Sequence, residues 1–69
     1  MTKIERINLN SMVWKMARRY VLAEKMGYSE DYMMALKHDM LLVGMTLQID
    51  FDTMIETVKN GEKMNDVVW

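Results

Sequence analysis

A chain of 69 residues with 51% apolar content and no cysteine is at most one domain, too apolar for disorder and without a disulfide or thiolate metal site to hold it together. A domain this small buries a modest share of its surface, so its stability has to come from good helix packing, self-association or a bound partner. The net charge of −1 conceals a division: residues 1–27 carry Lys3, Arg6, Lys15, Arg18, Arg19 and Lys25 against Glu5 and Glu24, or +4, whereas residues 28–69 carry three lysines against eight acids, or −5.

That division implies either a charged partner or two halves that face each other, within one fold or across a dimer. No apolar run is long enough to span a bilayer, and the N-terminus lacks the basic-then-apolar pattern of a signal peptide. The expectation is a folded, cytoplasmic, all-α protein.

Residues 1–10 contain Ile4, Ile7 and Leu9 among polar neighbours, and the asparagines at 8 and 10 favour a turn. They read as an N-terminal arm laid on the core. Asn10 or Ser11 then caps a first helix, Met12 to Met26, which Gly27 ends. At 100° per residue, Met12, Val13, Met16, Ala17, Tyr20 and Ala23 gather on one side, with Lys15, Arg18, Arg19 and Lys25 on the other. Leu22 falls within the basic face and Trp14 at its border. The Gly27–Tyr28 turn is short, so this helix and the next form an αα-hairpin.

The next helix, Ser29 to Val43, is the expected centre of the fold. Ser29 is a good N-cap, Glu30 and Asp31 suit the positive end of the dipole, and Gly44 is placed to end it. Tyr32, Met33, Leu36, Met40 and Val43 form one apolar face, and Met34, Leu41 and Met45 lie roughly opposite. A helix apolar on two sides asks for two neighbours. From Met45 to Phe51 the pattern alternates as a strand does, and a two-stranded element from residues 3–9 and 45–51 is the alternative. The favoured reading is that the helix continues through Gly44, or breaks into an extended connector. A glycine inside a helix costs only about 1 kcal/mol, and a lone pair of strands is weak.

Thr53 and Glu56 fit a capping box for a third helix, with Asp50 or Asp52 as rival caps. Met54, Ile55 and Val58 supply its apolar face, and Gly61 terminates it. A hairpin turn at Asn60-Gly61 competes, but its flanks alternate poorly. The tail ends in Val67, Val68 and Trp69, an apolar terminus that needs something to pack on.

Ten methionines are the oddest feature of the composition. Most belong in a core, because methionine fills irregular gaps; it also suits adaptable binding surfaces. Three helices this apolar exceed what one small core hides, so some of Trp14, Leu22, Met34, Leu41 and Met45 should be exposed and mark an interface. The basic face of the first helix, with Trp14 and Tyr20 near it, has the makings of a phosphate-tracking surface, although a solvated face looks the same. The acidic half is too sparse to imitate duplex DNA. His38 and Asp39 are an acid–base pair by composition, but adjacent helix positions diverge by about 100°. No nucleophile, phosphate loop or metal set accompanies them, so no enzyme and no cofactor is expected.

Trp14, Lys15, Met16 and Ala17, then Lys25 to Ser29, then Tyr32 and Ala35 to Lys37, resemble a pattern in short helical open reading frames of bacteriophages and plasmids. The likeness covers residues 12–37, about a third of the chain. It implies a mobile-element origin more than an activity. Many tiny cysteine-free phage proteins bind and block a host or defence protein, anti-CRISPR proteins among them, and no functional residue is carried over from that class.

The expected protein is a three-helix domain over residues 1–69 with an N-terminal arm, forming a homo-oligomer. Its expected function is that of a stoichiometric inhibitor that occludes a bacterial host or defence protein. The partner-binding candidates are Trp14, Lys15, Arg18, Arg19, Leu22 and Lys25, with Trp69 as a second anchor. A small nucleic-acid-binding regulator using the same basic face is the alternative, and a purely structural assembly module is a third.

Overall fold

The computed structural model describes residues 1–61 and contains three helices: α1 (Lys3–Met26), α2 (Glu30–Leu47) and α3 (Phe51–Lys59). No strand occurs among the described residues, so neither 3–9 nor 45–51 forms a sheet. The expected Trp69 anchor and the apolar tail lie outside the described residues.

The expected N-terminal arm is corrected: residues 3–10 are helix. Thr2 and Glu5 form a capping box, in which the Glu5 N–H donates to the Thr2 hydroxyl at 3.1 Å and the Glu5 carboxylate accepts from the Thr2 N–H at 3.4 Å. Asn10 is therefore no cap. It is buried inside α1, where asparagine costs only a few tenths of a kcal/mol against better helix formers. α1 ends as expected, with Gly27 left-handed at φ 74° and its N–H turned back to the Ala23 and Glu24 carbonyls.

Ser29 caps α2, its hydroxyl accepting from the Tyr32 N–H at 3.3 Å. The helix continues through Gly44, as the favoured reading has it, and ends at Gln48, which takes the left-handed conformation (φ 60°) of a C-cap in place of Gly44. Gly44 is needed for another reason. A Cβ there would lie 2.7 Å from the Ile49 carbonyl oxygen and collide with the Met54 side chain. Glycine lets α2 meet the start of α3 at contact distance.

Asp50, not Thr53, caps α3, accepting the Thr53 N–H at 2.7 Å. Thr53 sits inside the helix, and its carbonyl accepts the Thr57 hydroxyl at 2.7 Å. The strand-like alternation of 45–51 has a simple origin. Leu47 and Ile49 are buried on either side of the Gln48 turn, while Met45 is 77% exposed.

Val13, Ala17, Leu36, Met40, Leu47, Ile49 and Met54 form the core, with Leu9, Trp14, Met16, Tyr20, Val43, Phe51, Ile55 and Val58 around it. The Tyr20 and Phe51 rings meet edge to face at 5.0 Å, and the Lys37 ammonium lies 4.6 Å over Phe51. The expected centre is also corrected. α1 packs against both other helices, and α2 meets α3 only slightly. α2 has one well-covered side. Its second apolar group stays on the surface, with Met34 at 68% and Met45 at 77% exposure. Met1, Met12 and Met26 are exposed as well, so the core reading of the methionines fits Met40 and Met54 and fails for most of the others described. No helix among the described residues is long and apolar enough to cross a membrane.

Candidate protein-binding surface

α1 places the candidate residues. With its N-terminus at Lys3, the side of α1 away from the core runs for the whole length of the protein. Ile4, Ile7, Trp14, Arg18 and Leu22 follow one another along it at helical spacing. Ile4 is 72% exposed and Leu22 is 56% exposed. Ile4 and Ile7 join this side only because residues 3–10 are helical, which the Thr2–Glu5 capping box signals.

Five candidates come together. Trp14, Lys15, Arg18, Arg19 and Leu22 line one shallow depression on α1. The Arg18 guanidinium carbon lies 5.5 Å from the Trp14 ring centre, a cation–π distance. Trp14 is half-buried, so its ring is fixed by the core below it while one side remains available. Lys25 is exposed and lies one turn beyond Leu22, outside the depression.

A second depression continues from the first through Arg19 and Leu22, and adds Ala23, Met26, Tyr28 and Tyr32. The Tyr28 and Tyr32 rings are 5.0 Å apart. Tyr28 was read only as a turn residue and Tyr32 only as core. Their placement depends on how α1 and α2 pack, which no local pattern states.

The other candidates for chemistry are weak. His38 Nδ1 and Asp39 Oδ1 approach to 3.9 Å, closer than their diverging helix positions imply. Their side chains are 71% and 67% exposed, so water screens the pair. Among the described residues no group of His, Asp or Glu is placed to hold a metal ion. Asp50 is engaged as a cap. Hydrogen bonds from the Thr53 hydroxyl and N–H hold its carboxyl below the ordinary range. The chain matches no family model, no curated protein and no solved structure.

Proposed function

We propose that this chain is a small protein-binding module that acts by stoichiometric occlusion of its target and itself self-associates. The depression lined by Trp14, Lys15, Arg18, Arg19 and Leu22 carries the reading. It joins an aromatic held from below and a guanidinium placed over it, two residue types that dominate binding energy at protein interfaces, beside an exposed leucine that extends the apolar surface. Lys15, Arg19 and Lys25 form a basic rim that sets orientation and association rate. The likeness to short phage and plasmid reading frames directs the search to a bacterial host or defence protein as the target, met in the cytoplasm. The reading assigns the chain no catalysis and no cofactor.

The test is capture from bacterial lysate by the immobilised protein, with and without nuclease, alongside the variant Arg18→Glu with Lys25→Glu. Both side chains are exposed, and circular dichroism checks that the variant keeps its helicity. The expected result is one stoichiometric protein that survives nuclease and is lost by the variant. Retention of that protein by the variant sinks the assignment of this surface. Captured nucleic acid, with binding that falls steeply as salt rises, moves the chain to the regulator reading.

A further inference from the structure

α3 covers one side of the α1–α2 hairpin, and no element among the described residues covers the opposite side. Lys37 over Phe51 and Gly44 against Met54 mark the side of α2 that meets α3. Opposite it, α1 presents Met12, Lys15, Arg19, Leu22 and Met26, and α2 presents Tyr32, Ala35, Asp39, Leu42 and Thr46. Both series run at alternating spacings of three and four residues, the heptad seam of helices that pack in bundles. Every one of these residues is exposed, Met26 to 63% and Leu42 to 53%. The Arg19, Leu22, Met26 and Tyr32 depression between the two helices belongs to this face and includes no residue of α3.

The charges on the face have a register. Asp39 and Ala17 are each eleven residues from Tyr28 in the turn, so Asp39 lies level with the midpoint between Lys15 and Arg19. Among the described residues these groups do not meet: the ion pair there is Asp39 with His38, and neither Lys15 nor Arg19 takes part in one.

We propose that a second copy of this chain covers this face, related by a twofold axis parallel to the helices, so that α1 of each copy lies on α2 of the other. That operation keeps the level of every residue. It sets Asp39 of one copy between Lys15 and Arg19 of its partner, Tyr32 between Leu22 and Met26, and Leu42 between Met12 and the stem of Lys15. A twofold axis across the helices would instead lay α1 on α1, with Lys15 and Arg19 facing their own copies, and like charges disfavour it. The contact is isologous and closes at two copies. α2 is about 27 Å long and a two-helix layer about 20 Å wide, on the order of 500 Å² per copy. That is at the low end for a specific interface, the size at which weak and transient pairs are found.

This inference deepens the self-association reading: the face shares Lys15, Arg19 and Leu22 with the target-binding depression, so a second copy and the target compete for it and the target takes up the single copy. Sedimentation velocity from about 5 to 500 μM, a range suited to weak association, tests both reading and inference. Wild type is expected to pass from one copy to two across this range. Asp39→Lys alone, and Lys15→Asp with Arg19→Asp, should each remain one copy at every concentration. An equimolar mixture of the two variants should recover the two-copy species, because both contacts in the mixed dimer are again opposite in charge. Recovery also shows that both variants are folded. A wild type that stays a single copy refutes self-association altogether. A wild-type dimer that persists in either variant, or variants whose mixture stays single, refutes the geometry while leaving self-association in place.

Discussion

Gly44→Ala is the substitution on which local and tertiary reasoning disagree in sign. In an isolated helix, replacing an interior glycine by alanine stabilises by about 1 kcal/mol. Here the new methyl would enter a space already filled. It would collide with the terminal methyl of Met54, which is fully buried, and lie 2.7 Å from the Ile49 carbonyl oxygen. The methionine can swing aside at modest cost. The carbonyl cannot, because it belongs to the turn in which the Ile49 N–H donates to the Gly44 carbonyl at 2.9 Å and Gln48 is left-handed. Overpacking of this kind costs about 1–3 kcal/mol, and with the propensity gain subtracted the expected net loss is about 1 kcal/mol. In a domain of this size that lowers the melting temperature by roughly 4–8 °C. Thermal and urea melts followed by circular dichroism measure it, at a concentration where the association state is fixed. A variant more stable than wild type by about 1 kcal/mol would refute the close approach of α2 and α3 at Gly44.

Three further outcomes follow from the helix ends. Gln48→Gly should raise the urea midpoint by the equivalent of about 0.5–1 kcal/mol, because the left-handed conformation at φ 60° burdens a residue with a Cβ and not glycine. Thr2→Ala should cost about 1 kcal/mol and speed amide exchange over residues 3–10, whereas an extended arm would be indifferent to it. The Asp50 carboxyl titrates below its ordinary 3.8 in the folded protein, owing to the Thr53 hydroxyl and N–H. Its contribution to stability is therefore full above that value and is lost as pH falls through the lower folded one. Asp50→Asn keeps a capping oxygen but cannot titrate, so its melting temperature should fall less than wild type's between about pH 5 and pH 2. Equal slopes for the two proteins would rule out the cap as the source.

Much of the fold is legible in local chemistry. Helical periodicity and the absence of proline and cysteine point to an all-α domain. Gly27 and Ser29 locate the turn of the hairpin by their conformational and capping preferences, and Gly61 sits where α3 gives way. The binding candidates were partly legible for the same reason. Trp14, Lys15, Arg18, Arg19 and Leu22 share one side of one helix, so spacing alone brings them together. The first ten residues were misread because two asparagines outweighed a capping box at the extreme N-terminus. Asparagine is a weak helix breaker, and the long contact of α1 with both partners overrides it.

The apolar faces of the helices, the hairpin and the charged division between the halves depend on backbone preferences and residue spacing within single elements, so they can be read along the chain. That α1 is the centre, that Gly44 is held against Ile49 and Met54, and that Met34, Met45 and the Tyr28–Tyr32 pair remain outside depends on how the helices pack. The cause is geometric. A helix with apolar residues on two sides states that both can be buried, but one short α3 covers only one side of the hairpin, and the sequence pattern does not say which.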